Sequence, residues 1–164
     1  MRTHSTFESV PHHDAAAGLA RWRELTRRAN AAFDRSDYAQ AQRWYRQALH
    51  VALVLSAGPA LAASPDECLA AVVVAHHNLS ENHRQRREAT AALEHLCLAH
   101  EALIRIASDP HAPDAARHCA VHHLSRTRFA LLDWQANHGA CARTHAALRD
   151  DPAALSSLGA ARVH

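Results

Sequence analysis

Histidine and cysteine side chains stand one helical turn apart in the last third of the chain. His118 and His122 are four residues apart, and so are Cys119 and His123. Residues at that spacing lie on one side of a helix, so each pair could chelate a single ion. Neutral imidazole and thiolate are ligands that suit zinc, copper or nickel. One interpretation of the sequence is therefore a transition-metal-binding protein.

Further histidines precede this segment in the chain. The metal hypothesis draws its ligands from both groups: His76, His77, Cys119, His122 and His123. No CxxC or HExxH motif occurs, and 16 of the 164 residues are histidine, so pairs at this spacing also arise from composition alone. All 18 basic residues are arginine, which indicates a compositional bias that accounts for part of the histidine excess. Clustered imidazoles also titrate near neutral pH, which leaves pH sensing as another use.

A cysteine beside a histidine is also the minimum of a nucleophilic site. Cys119 and His123 have the one-turn spacing that such a pair needs. Nothing in the sequence supplies an oxyanion hole, and no glycine-rich phosphate loop is present. We therefore expect that the protein is not an enzyme.

The elements that position these residues are helices, which proline and glycine separate into three blocks. Gly58-Pro59 and Ser64-Pro65 enclose the first break, and Ser108-Asp109-Pro110 begins the second. Each block splits again at a short polar turn, and apolar residues recur at spacings of three and four between the turns. The predicted helices cover 15–34, 37–56, 66–85, 87–107, 114–136 and a short segment ending near 148. The fold class is all-α, with three helical hairpins in series.

The chain length fits one domain with short flanking segments. With 164 residues the chain is long enough to bury one core and too short for two ordinary domains. We expect a flexible N-terminus over 1–14, a helical domain over 15–149 and a C-terminal tail over 150–164.

The first hairpin resembles a tetratricopeptide repeat. Ala29 and Ala41 match the small residues where the two helices of that repeat approach closely, and Tyr38 matches its turn aromatic. Tyr45 and Ala48 match the packing aromatic and the later alanine. A shift of 51 residues brings the second hairpin into register without a gap. The third hairpin fits poorly after Phe129, which favours a divergent or capping repeat.

The resemblance implies a module that binds a protein or peptide segment in a groove lined by the first helix of each hairpin. The register places seven contact residues on that face: Asn30, Phe33, His77, Asn78, Glu81, His122 and Arg126. Asn30 and Asn78 fall on the asparagine positions of a carboxylate-clamping version, whose basic residues are absent here. The implied function is an adaptor or chaperone-like scaffold without a cofactor.

Charge and cysteine usage restrict the remaining function classes. The formal net charge is only +2, which argues against a general nucleic-acid or membrane-surface partner. Four widely spaced cysteines without a CxxC pair are typical of reduced thiols in a cytoplasmic protein. Trp44 lies beside the apolar stripe of its helix, where exposure would support a homodimer.

Overall fold

The computed structural model describes residues 10–149 and 151, and over these residues every regular element is a helix. This confirms the all-α fold class. The elements are α1 Val10–Asp34, α2 Tyr38–Ala57, α3 Ala60–Ala63, α4 Pro65–Gln85, α5 Ala89–Ser108, α6 Asp114–His138 and α7 Ala142–Arg149. No helix in this described part is both long and apolar enough to cross a membrane.

The backbone packs as two compact units, 1–75 and 76–164, with the division inside α4. In the N-terminal unit, α1 packs against α2 and α3, and α2 also packs against α3. Ala29 of α1 and Ala41 of α2 are both fully buried, and their small side chains need little space where helices pack. The Tyr45 hydroxyl donates to the Asn30 Oδ1 at 2.8 Å, which joins α2 to α1 beside that contact.

In the C-terminal unit, α5 packs against α6, and α7 packs against both. An apolar cluster holds the three helices together and includes Leu96, Leu131, Trp134 and Ala147. Arg143 at the start of α7 donates to two carboxylates of α5, Glu94 at 2.7 and 3.1 Å and Glu101 at 2.5 and 3.1 Å. Two-pronged guanidinium–carboxylate pairing fixes direction as well as distance, so α7 has one register on α5.

The turns that close the first two hairpins have the same hydrogen bonds, 51 residues apart. In the first turn, Ser36 N–H donates to the Phe33 carbonyl and Asp37 N–H to the Ala32 carbonyl, at 2.8 and 3.0 Å. In the second turn, the equivalent N–H groups of 87 and 88 donate to the carbonyls of 84 and 83, both at 2.9 Å. Ser36 and Arg87 have φ values of 61° and 62°. Both turns are Schellman caps with a non-glycine residue in the left-handed position, and the 51-residue register holds at the level of the backbone.

At both ends of the described part, the helix or the burial reaches past the predicted limits of the helical domain, and the domain limits themselves stay a prediction. We expected 1–14 to be a flexible N-terminus, but α1 begins at Val10, and Pro11 fits there because the first helical turn needs no intrahelical N–H bond. Residues 1–9 lie outside the described part. We expected 150–164 to be a polar tail, but Asp151 is fully buried; the rest of that tail is not described. The one-turn helix α3 was not predicted.

Candidate functional site

The C-terminal unit contains a cavity of about 220 Å³ between α4 and α6, with one wall from α5. The two flanking helices each contribute residues at the spacings of three and four that define one helix face. On α4 these are His77, Ser80, Glu81 and Arg84, and on α6 they are Ala130, Asp133, Trp134 and Asn137, with His138. Leu96 of α5 completes the lining. The cavity thus lies between one face of α4 and one face of α6.

The cavity floor is aromatic and apolar. Trp134 is 7% exposed, and the His138 ring stacks on it with centroids 4.0 Å apart and planes inclined by 13°. The Nδ1 of His138 lies 3.2 Å from the Trp134 carbonyl oxygen, which holds the two rings in register one turn apart. Leu96 belongs both to this floor and to the apolar cluster below it. The floor is therefore rigid and suited to the apolar body of a side chain.

The cavity rim is polar, with charges of both signs. Glu81 accepts hydrogen bonds from Arg84 at 2.8 Å and from Gln85 at 2.7 Å, so its charge is already compensated. Asp133 is exposed, and its carboxylate has no hydrogen-bond or ion-pair partner among the described residues. The rim can thus hydrogen-bond a polar group above the apolar floor.

His77 supplies an unpaired polar atom in the cavity wall. Its Nε2 is buried and has no hydrogen-bond partner in the described part of the chain. Burial, together with the positive charge of Arg126, lowers the pKa of His77. A neutral imidazole has one donor and one acceptor nitrogen, and the His77 ring is one of the polar groups that line the cavity. A buried polar atom without a partner costs free energy.

The structure places the predicted contact residues as follows. His77 and Glu81 line the cavity, whereas Asn78 is half-buried and His122 and Arg126 are exposed on α6. Asn30 and Phe33 belong to the N-terminal unit. There the Asn30 Oδ1 accepts a hydrogen bond from the Tyr45 hydroxyl. The Phe33 and Tyr38 rings meet edge-on, with their centroids 5.3 Å apart.

Sequence reasoning missed the α6 half of the cavity. The predicted stripe on α6 ended at Arg126, but the same spacing of three and four continues through Ala130, Asp133 and Asn137. Trp134 was interpreted only as a packing residue, and it is also the cavity floor. Extension of the stripe to the end of the helix would have found these residues.

The histidines proposed as metal ligands have other neighbours. His76 pairs with His95 of α5, with their Nδ1 atoms 3.0 Å apart, and His83 stacks on His95 with centroids 5.4 Å apart. The His122 and His123 rings meet edge-on, with their centroids 5.9 Å apart. Within the described part of the chain, no three His, Cys, Asp or Glu groups are arranged to hold one metal ion. Among the five predicted ligands, His76 has a close imidazole partner on another helix.

A hydroxyl, an imidazole and a carboxylate also line up in the C-terminal unit. The Nδ1 of His100 lies 2.8 Å from the Thr127 Oγ1, and its Nε2 faces Asp151 at 3.3 Å without the alignment of a hydrogen bond. All three side chains are fully buried, and the Thr127 hydroxyl donates to the Leu124 carbonyl at 3.1 Å. Arg128 binds Asp151 through two nitrogens. This network packs Asp151 against α5 and α6, and its His100, Thr127 and Asp151 side chains are closed to solvent.

The N-terminal unit has an apolar cavity of about 420 Å³ between α1, α2 and α3. Val51, Val54 and Leu55 line it, and Gly18 lies close to Leu55. Apart from Asp14 and His50 its lining has no charged or titratable side chain, so it offers fewer polar groups to orient a ligand than the cavity between α4 and α6 does.

The Trp44 ring lies 5.4 Å from the Arg28 guanidinium and is half-buried. The guanidinium covers part of the ring through a cation–π contact. The homodimer expected from an exposed Trp44 stays a prediction.

Comparison with known proteins gives one family. The family model described as "Protein of unknown function (DUF2753)" matches residues 20–161. No curated protein and no solved structure matches the chain. The match is not to a tetratricopeptide family, so that resemblance stays a prediction.

Proposed function

The chain belongs to the DUF2753 family, and we propose that it is a non-enzymatic interaction module that binds a protein segment in the cavity between α4 and α6. The observation that carries this proposal is the cavity itself, in which the apolar side chains of Trp134 and Leu96 lie beside polar groups that include His77, Glu81 and Asp133. The two helices are the first helices of the second and third hairpins, the positions at which the tetratricopeptide resemblance implies binding.

The size of the cavity favours a side chain over a free small molecule. Pockets for drug-sized ligands enclose roughly 300–1,000 Å³, whereas this cavity encloses about 220 Å³. That space accommodates one large side chain of a partner segment, with its apolar part on Trp134 and its polar end at His77 or Asp133. The segment would bind by hydrogen bonding and shape, as an adaptor or chaperone-like scaffold requires.

The test is selection of peptides from a random displayed library on the purified chain, followed by affinity measurement against two matched variants. Ala130→Leu places a larger side chain in the cavity wall, and Ala136→Leu makes the same change at an exposed position of the same helix. We expect Ala130→Leu to lower the affinity for the selected peptides about tenfold or more, which corresponds to the loss of an anchoring contact worth about 1.4 kcal/mol or more. Ala136→Leu should bind the selected peptides with the same affinity as the parent.

Substitution of the predicted polar contacts provides a second arm of the same test. His77→Ala removes the unpartnered imidazole, and Asn78→Ala with His122→Ala removes contacts inferred from the resemblance alone. A loss of binding in the first variant only would restrict the site to the cavity. Peptides that bind Ala130→Leu and His77→Ala as tightly as the parent would contradict the proposal.

A second candidate, a transition-metal-binding protein, has one supporting observation. The His76 and His95 Nδ1 atoms are 3.0 Å apart, close to the roughly 3.3 Å that separates two nitrogens on one tetrahedral zinc with bonds of about 2.0 Å. Elemental analysis of protein purified without an affinity tag tests it. Near-stoichiometric zinc, copper or nickel, with a melting temperature lowered by a chelator, would favour this function. Metal-free protein that binds the selected peptides would exclude it.

A further inference from the structure

Two cysteines of the C-terminal unit lie at one apolar cluster where α5 and α7 pack together. Cys97 of α5 is fully buried in the apolar cluster, and the half-buried Cys141 packs against the same cluster from the residue before α7. The Cys97 Sγ lies 3.9 Å from the Arg143 carbonyl oxygen, and the Cys141 Sγ lies 3.8 Å from the Thr144 Oγ1. The two thiols therefore contact adjacent residues in one turn of the chain.

The two thiols differ in accessibility and in acidity. The backbone N–H of Thr144 lowers the pKa of Cys141, with further contributions from the Thr144 hydroxyl and from Arg143. Burial raises the pKa of Cys97 to about 11. An accessible thiolate is the form that reacts with oxidants, whereas a buried protonated thiol is inert until a reactive sulfur comes next to it.

We propose that Cys141 is a peroxide-reactive thiol and that Cys97 is its resolving partner, so that oxidation forms an intramolecular disulfide between α5 and the start of α7. The geometry that supports this is the shared cluster and the contact of both sulfurs with the first turn of α7. The proposal does not depend on the binding function.

The chemistry balances with hydrogen peroxide as the oxidant. The Cys141 thiolate attacks one peroxide oxygen, the O–O bond breaks, and hydroxide leaves, which gives a sulfenic acid. The Cys97 sulfur then attacks the Cys141 sulfur, the S–O bond breaks, and the departing hydroxide takes the Cys97 proton as water. One peroxide is reduced and two thiols are oxidised to one disulfide. Because Leu96 and Trp134 belong to the cluster and to the cavity floor, the new bond would stiffen that floor.

The sequence makes the product easy to assign by mass spectrometry. Cleavage after arginine places the four cysteines on four different peptides, 47–84, 88–105, 118–126 and 129–143. The full chain is reduced, freed of reductant, treated with hydrogen peroxide, alkylated and digested without reduction. We expect peptides 88–105 and 129–143 to be recovered as one linked species that reductant separates.

Three serine variants distinguish the roles, with circular dichroism as a check that each remains folded. Cys141→Ser should lose the linked species, and Cys97→Ser should accumulate a sulfenic acid on peptide 129–143 that dimedone captures. Cys119→Ser is the matched control, because Cys119 is also half-buried, and it should form the disulfide as the parent does. Oxidation of Cys119 before Cys141, or a linked species that excludes peptide 88–105, would overturn the proposal.

Discussion

Three imidazoles of the C-terminal unit are held neutral by their surroundings: His76 and His100 are buried, and His77 is half-buried. Burial lowers the pKa of His76 to about 3, with the neighbouring His95, His77 and Arg105 acting in the same direction. Burial and Arg126 lower the pKa of His77. Burial also lowers the pKa of His100, although the Asp151 carboxylate opposes it. These side chains pack as neutral polar groups, so protonation must disrupt the packing around them.

Stability is therefore expected to fall as the pH falls below about 6.5. The unfolded chain binds protons near the ordinary histidine pKa, whereas the folded chain does not until lower pH, so acid favours unfolding. Each buried histidine contributes up to about 1.4 kcal/mol per pH unit below its ordinary pKa. Chemical denaturation between pH 7 and pH 5 measures the slope, in a range above the ordinary pKa of the carboxyl groups.

Two variants separate buried histidines from exposed ones. His76→Gln retains a polar side chain and removes one of the three titrating groups. The free energy of unfolding of this variant should therefore change with pH about one third less steeply than that of the parent. His118→Gln changes an exposed histidine and should retain the parent slope. A free energy of unfolding that is constant from pH 7 to pH 5 would show that these imidazoles are not buried neutral.

Among the helices, the C-terminal caps of α1 and α4 have a conformational free-energy cost that the sequence does not reveal. Ser36 and Arg87 have positive φ in the position where Schellman caps usually have glycine. A side chain in this left-handed region costs roughly 1–2 kcal/mol. Both residues are exposed, so packing does not offset that cost, and each hairpin closes through hydrogen bonding of the turn and through burial of its helices.

We expect Ser36→Gly and Arg87→Gly to stabilise the protein, each by up to about 1 kcal/mol. Glycine removes the steric cost of the left-handed backbone, and this gain exceeds the entropy that glycine adds to the unfolded chain. Thermal melting measures the change. The control is Arg46→Gly, an exposed position inside α2, where the same residue should destabilise by about 1 kcal/mol. Lower melting temperatures for Ser36→Gly and Arg87→Gly would contradict the cap assignment.

At the scale of the whole molecule, the candidate functions fall in the C-terminal unit. This unit contains the cavity, the paired imidazoles of His76 and His95, and the two coupled thiols. The packed residues of this unit include Asp151, whose buried carboxylate accepts hydrogen bonds from Arg128. A fragment that ended before this residue would leave the partly exposed Arg128 without its carboxylate partner. Binding experiments therefore need the chain beyond α7.

The sequence by itself determined the helices and their turns. Helix ends depend on local interactions, such as Asp66 and Glu67 in the first turn of α4 and Gly139 after α6, so the predicted boundaries differ from the observed ones by only a few residues except at α1. The 51-residue register was also readable, because the same turn requires the same spacing.

Only the tertiary structure decided which side chains meet. The pairing of His76 with His95, the burial of Asp151 and the packing of Cys97 and Cys141 in one cluster each join residues from different elements. Such contacts depend on how helix faces are rotated and offset against each other, and a spacing of three or four residues defines a face without defining its partner. For this reason the sequence could place His77 and Glu81 on one face of α4, whereas their meeting with Trp134 and Asp133 of α6 depended on packing.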